Sequence, residues 1–534
     1  MRLTRNLFAG TAGRENVLSV DEIRGRGTPF MAEVTLIQGG FRKRCTIPAG
    51  TPLMPLLQRE AGFVFPCGGN HTCGKCRVRV SGGISEMTPR EHVLLSGAAE
   101  GERLACFLTV LGDCEVVVGS QGSAQIVTDA DAVRIPLDPN YAGVGAAFDI
   151  GTTTVACYLF SSERENPLAS LAGQNRQASF GADVISRIEA CKRGALLQQR
   201  DVIRNQMSEM LETLCGHEGV ALSGVQRIVA TGNTVMLHLL AGLDPSGLAA
   251  APFTPESLFG SWQGWKLDGF SNAQIYLPDC ISAFVGADIT CSILASGMLN
   301  SGGVSLLLDI GTNGEMALFD GTCLTSCSVA AGPAFEGAGI SCGSGAANDA
   351  ISSVCIGQDG LQYEVIGGGK AHSICGSGLI DAAAAFLSLG ALDETGLIAD
   401  GETLPIGNSG LSLTQQDIRQ LQLAKAAVAA GMETLLHERG IGFCEVGQVF
   451  LCGGFGSYLD AKSAARIGLL PKELVSKTKT IGNAAGAGAG CILQSDAALQ
   501  RSRQIAQQAK TIDLLVNAYF MERYVENMLF KQGD

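Results

Sequence analysis

One pattern of apolar and polar positions occurs twice in this chain: a short apolar run, the turn Asp-Ile-Gly-Thr, and a second apolar run. In the first copy Ala146-Ala147-Phe148 leads into Asp149–Thr152, and Val155–Phe160 follows. In the second, Leu306-Leu307-Leu308 leads into Asp309–Thr312, and Met316–Phe319 follows. Runs of this length punctuated by Gly read as strands joined by tight turns. Each turn offers backbone N–H groups at Gly, threonine hydroxyls and one carboxylate, a set suited to a phosphate chain and its metal ion. Two such turns predict two related half-domains closing on one nucleotide. Further on, Gln448–Cys452 predicts a strand running into Gly453-Gly454-Phe455-Gly456, where glycines allow close backbone approach to a nucleotide. Ile289–Met298 predicts an apolar helix, and the small residues of Ile481–Gly490 predict a helix that packs closely on a neighbour. Strands alternating with helices to the end of the chain indicate α/β architecture.

Upstream the rhythm changes. Glu33–Ile37 and Arg42–Ile47 predict a hairpin across Gly39-Gly40, Thr51–Ala61 a helix, Arg77–Val80 a strand and Cys114–Val118 a closing strand. Between the two parts, 121–144 reads as a linker, polar after the Gly/Ser-rich Gly119–Ser123. Residues 1–30 carry Arg2, Arg5, Arg14, Arg24 and Arg26 but no apolar core of a secretory signal. They read as a disordered extension, with Met31 as an alternative start.

Composition narrows the classes. A net charge of −13 argues against nucleic acid or an anionic membrane as partner. No apolar run reaches the roughly 18 residues that span a bilayer. Nineteen cysteines are many, but their scattered spacing does not resemble a disulfide framework. Most, such as Cys157, Cys291 and Cys452, sit in apolar runs and read as small buried residues in a reducing cytoplasm.

One cysteine cluster stands apart. Cys67, Cys73, Cys76 and Cys106 follow the spacing C-x5-C-x2-C-x29-C on a glycine-rich loop. Three close thiolates and one distant thiolate are how plant-type [2Fe–2S] centres are held, although their first gap is usually four residues. The same four thiolates would also serve zinc, whose ligands more often come as two close pairs. His71 lies in the loop where ferredoxin-like sequences commonly have Gly. With its flanking elements this module resembles the β-grasp ferredoxin, an α+β fold, over about residues 31–120.

The two Asp-Ile-Gly-Thr turns and the later Gly-Gly-x-Gly, in this order, resemble the actin-like ATPase superfamily of actin, sugar and acetate kinases and heat-shock chaperones. That resemblance implies a two-lobed, duplicated ribonuclease H-like domain over 145–534, with lobes of about 145–300 and 301–534. It makes Asp149–Thr154 the first phosphate loop, Asp309–Gly314 the second and Gly453–Gly456 the adenosine loop. Asp149 and Asp309 would organise Mg²⁺ and water, and Gly151, Thr152, Thr153, Gly311, Thr312 and Asn313 would meet the phosphates of ATP. Asp288, ahead of the apolar helix, matches the general-base position of sugar kinases, while its chemistry also suits an ordinary helix N-terminus. Asp183, in a similar Gly-Ala-Asp, is its counterpart in the first half.

A ferredoxin module joined to an ATPase suggests ATP turnover coupled to an uphill reduction. The whole chain is similar to the reductive activators of corrinoid proteins in methyltransferase systems. Further stretches carry that likeness: Thr231–His238, Cys375–Asp381 and Tyr524–Met528. It implies electron transfer from a [2Fe–2S] cluster to inactive Co(II) of a corrinoid protein, regenerating Co(I), with a reductase or ferredoxin as donor. A homodimer stays open. Three rival readings remain at this point: a small-molecule kinase with a redox-sensing ferredoxin domain, a nucleotide-gated non-catalytic scaffold, and an activator of a radical dehydratase. The complete N-terminal cysteine set weighs against the last. Gly339–Gly343 matches G-x-S-x-G but lacks the strand–elbow–helix context of a hydrolase nucleophile. The surrounding Ala330–Ala347 reads either as a packed turn or as a loop that meets a partner.

Overall fold

The computed structural model describes residues 30–38, 41–61, 63, 65, 69, 71, 74, 76–95, 101–118, 136–358, 360–456 and 459–530. All but the last residue of the predicted extension 1–30, the predicted Gly39-Gly40 turn, most of the linker (121–135) and the candidate ligands Cys67 and Cys73 lie outside them. The chain divides into two compact units, Met1–Ala61 with Arg77–Gly119 and Gly62–Cys76 with Ser120–Asp534.

The first unit is a mixed sheet with a nine-residue helix and a shorter one over Pro89–Leu94. Strands β1 (Met31–Gln38), β2 (Phe41–Pro48), β3 (Arg77–Ile84), β4 (Glu102–Leu104) and β5 (Thr109–Val118) lie in the order β2-β1-β5-β3-β4. β1 runs parallel to β5 and antiparallel to β2, so the hairpin is joined to the last strand of the unit. Ala32, Val34 and Leu36 are buried while Met31 and Glu33 are exposed, the period-2 signature of a sheet covered on one face. Helix α1 (Leu53–Ala61) buries Leu53, Leu56 and Leu57, a helical i, i+3, i+4 set. Pro55 is tolerated because the first turn has no intrahelical N–H bond to lose.

The second unit contains two six-stranded sheets of matching design. In the first half, β6 (Val144–Ile150), β7 (Thr154–Ser161), β8 (Ala169–Gln174), β9 (Val225–Gly232), β10 (Ser261–Gln263) and β11 (Gln274–Leu277) take the order β10-β11-β9-β6-β7-β8. In the second, β12 (Val304–Ile310), β13 (Gly314–Phe319), β14 (Leu324–Val329), β15 (Val446–Cys452), β16 (Thr478–Gly482) and β17 (Lys510–Thr511) take the order β16-β15-β12-β13-β14-β17. β6 is antiparallel to β7 and parallel to β9, and β12 is antiparallel to β13 and parallel to β15. Asp149 and Asp309 therefore occupy corresponding positions near the ends of corresponding central strands.

Among the helices of this unit, α2 (Thr234–Ala241) follows β9 and α3 (Ala287–Ser296) precedes the second half. The long α4 (Gln415–Glu438) buries Ile418, Leu421, Val428, Met432 and Leu435 along one face. Helix α5 (Ala484–Gln494) is the predicted small-residue helix. A Cβ at Gly488 would fall well inside contact distance of the Cys291 backbone, so α5 and α3 meet main chain to main chain. Gly486 and Gly490 lie in the same way against the rings of Tyr158 and Phe160. The Ala330–Ala347 stretch takes the first of its two predicted forms. Ala331, Ala334, Phe335 and Ile340 are buried, and Ser341 is tied through N–H and Oγ to Asp417.

Candidate functional site

In the first unit, β3 and β4 pair with Arg77 opposite Leu104. Cys76 stands one residue before β3, and Cys106 lies in the turn Ala105–Phe107 that follows β4. Cys76 is buried and Cys106 is partly exposed. The turn is held by a buried ion pair. Arg103 donates through Nε and Nη2 to both oxygens of Glu91, at 2.8 Å each, and Glu91 also accepts from the Leu104 N–H at 2.9 Å. A bidentate pair with its remaining valences satisfied is the geometry in which a buried charge pair is tolerated. His71 has φ 59°, a left-handed conformation that Gly adopts without strain.

The second unit gathers carboxylates around the two Asp-Ile-Gly-Thr turns. Asp149 accepts from Asn483 Nδ2 at 2.9 Å, and Asn483 also caps α5 by accepting from the Gly486 N–H at 2.8 Å. Burial pushes Asp149 up to about 6, against the opposing Asn483 hydrogen bond. Asp309 is pushed up to about 7 by burial first and by the Asp149 charge second. Asp288, in the first turn of α3, is raised by burial and then by Asp309 and Asp149. Its Oδ1 accepts from the Ile289 N–H at 2.9 Å, so the helix-end position and closeness to both turns hold together. Asp183 is an N-cap, in a reciprocal capping box with Ser186.

Two further carboxylates were not singled out in the sequence. Glu315 stands directly across from Asp309 in the β12–β13 ladder, on the same face. It is buried, its Oε1 has no hydrogen-bond partner, and burial followed by Asp288 and Asp309 raises it well above the ordinary range. Glu336 Oε2 accepts from Thr153 of the first turn at 3.0 Å and from Thr312 of the second at 2.7 Å. One oxygen thus ties the two turns together. Its signal in the sequence was slight but real: it is the sole charge in Ala330–Ala347.

Hydrogen bonds brace both turns. The Gly151 N–H donates to the Thr154 carbonyl at 2.9 Å, and the Gly311 N–H to the Asn313 carbonyl at 3.0 Å. Thr152 Oγ1 accepts from Asn233 Nδ2 at 3.1 Å, which explains part of the Thr231–His238 segment: Asn233 caps α2 and braces the turn. Gly453 has φ 86°, and a Cβ there would lie 2.6 Å from Asp309 Oδ1. Only glycine lets this backbone sit against that carboxylate. Gly454, Phe455 and Gly456 continue from it in a single helical turn.

Among the described residues no three His, Cys, Asp or Glu side chains converge into a ready-made metal cage. The clustered carboxylates with raised proton affinity, and the orphan oxygen of Glu315, nevertheless form a site short of positive charge. A Mg²⁺ ion, which keeps water and takes phosphate oxygens with one or two carboxylates, suits such a site better than a full protein cage. Its arrival would displace protons from these carboxyls. No described helix is long and apolar enough to cross a membrane.

Comparison with known proteins agrees with this geometry. Residues 303–534 match the family described as the C-terminal domain of RACo, the ASKHA domain, and residues 144–301 match the RACo middle region. In this chain that middle region is the first half of the duplicated unit. The corrinoid activation enzyme RamQ of Eubacterium limosum is 31% identical over 421 residues, which cover 73% of this chain and 70% of that protein. The [Co(II) methylated amine-specific corrinoid protein] reductase of Methanosarcina barkeri is 27% identical, covering 61% of this chain and 66% of its own length. A solved reductive activator for corrinoid, iron–sulfur protein superposes with a TM-score of 0.69 at 28% identity, over 93% of this chain and 98% of that one. A 77-residue piece, 14% of the chain, is 43% identical to a component of the Na⁺-translocating NADH-quinone reductase of Haemophilus influenzae, and covers 19% of it. The chain belongs to the RACo family of corrinoid-protein reductive activators.

Proposed function

We propose that this chain is an ATP-dependent reductive activator that passes one electron from a [2Fe–2S] cluster to the Co(II) of a corrinoid protein, regenerating Co(I) for a methyltransferase system. The observation that carries this reading is one chain uniting the cysteines Cys76 and Cys106 with a duplicated unit whose two Asp-Ile-Gly-Thr turns gather buried carboxylates, in a family whose relatives are described as corrinoid activators. In this reading 31–120 is the ferredoxin-like domain, 121–144 the linker and 145–534 the ATPase.

Cys76 and Cys106, with Cys67 and Cys73, would hold the cluster. When bound, the cluster would supply a one-electron donor for the cobalt. Glu91 and Arg103 keep the Cys106 turn fixed, so little reorganisation is needed as charge changes there. ATP with Mg²⁺ supplies the outside energy an uphill transfer requires. Plant-type clusters sit near −400 mV, and each ~59 mV uphill costs about 1.4 kcal/mol for one electron.

The cleft residues divide the work of holding that nucleotide. Asp149 and Asp309 orient the metal and its water, and Gly151, Thr152, Thr153, Gly311, Thr312 and Asn313 meet phosphate oxygens. Gly453–Gly456 lie against the adenosine. Asp288, with its raised proton affinity, is suited to take a proton from attacking water. Phosphate oxygens would compete with Glu336 for the hydroxyls of Thr153 and Thr312, so occupancy of the cleft is felt where the two halves meet. The partners are the corrinoid protein and a reductase or ferredoxin, with a second copy of the chain as a further associate. The proposed compartment is the reducing cytoplasm, in keeping with the thiols of Cys157, Cys291 and Cys452 buried in the core.

Two measurements test the assignment. Iron and sulfide analysis with electron paramagnetic resonance should report a one-electron [2Fe–2S] centre. Nucleotide turnover should yield free phosphate and depend on the corrinoid protein. A phosphorylated metabolite made without that partner would sink the reading.

A further inference from the structure

Arg187 and Asn175 belong to no recognised motif, yet both are 0% exposed and both end behind the first phosphate turn. Arg187 donates Nη2 to the Thr152 carbonyl at 2.6 Å, Nε to the Gly181 carbonyl at 3.0 Å and Nη1 to the Met236 sulfur at 3.1 Å. Asn175 donates Nδ2 to the Gly151 carbonyl at 2.8 Å, while its Oδ1 accepts from the Gln177 N–H at 2.9 Å. None of the guanidinium's acceptors here is a carboxylate. Burying a cation on such neutral acceptors is costly, and burial accordingly lowers Arg187 to about 10, which still leaves it charged at neutral pH.

The geometry says what that cost achieves. In a trans peptide the C=O and the following N–H point in opposite directions. Pinning the oxygens of Gly151 and Thr152 from the core side therefore turns the N–H groups of Thr152 and Thr153 away from the core. The hydroxyl of Thr153 in the same turn donates to Glu336. Successive N–H groups turned one way make an anion-binding concavity. In the second turn the matching oxygen, that of Thr312, is held by a neutral backbone donor, the Gly332 N–H at 3.0 Å. Among the described residues, the charged support stands behind the first turn and not behind the second.

We infer that Arg187 and Asn175 are positioning residues that hold the amides of the first turn toward the nucleotide's phosphates, with Arg187 adding a fixed positive charge behind them. The inference rests on the nucleotide reading above and assigns the phosphate chain, not the base or sugar, as what these two side chains serve.

The test compares ATP with adenosine, which lacks phosphate, on the full-length protein with Mg²⁺. Equilibrium binding is measured for wild type, Arg187→Lys and Asn175→Ser, with melting curves on each. Lysine keeps the charge but loses the fork that grips two carbonyls. Serine removes the reach to Gly151. Each variant should melt cooperatively and bind ATP about 10–100-fold more weakly, the range expected for hydrogen bonds serving a charged group. Adenosine affinity should stay within about twofold. Unchanged ATP affinity, or equal weakening of ATP and adenosine, overturns the inference while leaving the nucleotide site standing. Wild-type protein that binds no ATP refutes instead the nucleotide reading on which it rests. If one variant melts without cooperativity, the other carries the comparison.

Discussion

Asp309→Asn separates what the cleft costs from what it does. The carboxyl of Asp309 is pushed from 3.8 up to about 7, by burial first and by Asp149 second. The sign follows from proton linkage. Between pH 4 and 7 the folded protein holds a proton that the unfolded chain has released, so stability is lost as pH rises through that window. Above about 7 the loss is constant. A displacement of that size corresponds to about 4 kcal/mol at full effect. Solvent at the half-buried Asp309 and relaxation of the neighbouring carboxylates reduce it to roughly 1–3 kcal/mol. Asparagine has the same shape and fits against Gly453, but it carries no charge to desolvate. The nucleotide-free variant should therefore melt roughly 2–6 °C higher than wild type at pH 7.5, with the gap closing toward pH 4. Its ATP turnover should fall by about 100-fold or more, because the carboxylate proposed to orient metal and water is gone. Differential scanning calorimetry across pH, with a phosphate-release assay, reads both. A lower melting temperature at pH 7.5, a gap independent of pH, or an unchanged turnover would each refute the reasoning.

Three further substitutions probe separate links. Cys76→Ser should abolish the visible absorbance of the cluster while ATP affinity stays within about twofold; loss of both would argue against independent modules. Glu91→Ala leaves the Arg103 charge buried without its partner, at a cost of about 3–5 kcal/mol. Cluster retention on heating should then fail well before the second unit melts, as read by absorbance against circular dichroism. Gly488→Ala forces a methyl into the Cys291 backbone where α3 and α5 touch. Overpacking of this kind costs about 1–3 kcal/mol, and a melting temperature equal to wild type would show that the helices separate freely.

What the sequence made legible was local. The hairpin, α1 and the closing strand of the first unit follow from period-2 and helical spacing, and β6–β7 and β12–β13 follow from paired apolar runs around Asp-Ile-Gly-Thr. The helix Ala484–Gln494 could be read from its small residues, because close packing needs them whatever the partner is. The support of the candidate site was not legible, because it is built from long-range contacts. Asn483 meets Asp149 across 334 positions of sequence, and Thr153 meets Glu336 across 183. Arg187 and Asn175 act on backbone carbonyls, and a carbonyl has no side-chain identity to mark it in a sequence. Glu315 looked like one residue of a strand until the register set it opposite Asp309. Asp183, read as a counterpart of Asp288, is a helix cap, a role that its own Gly-Ala-Asp context could not separate from chemistry.

The central claim is electron delivery to cobalt under the control of the nucleotide cleft. The direct measurement mixes reduced protein anaerobically with a Co(II) corrinoid protein, with and without MgATP, and follows the cobalt spectrum in time. Wild type should generate Co(I) with MgATP, whereas Cys76→Ser with MgATP should leave cobalt as Co(II). Cobalt that stays Co(II) with the reduced wild-type protein, with or without ATP, would contradict the account.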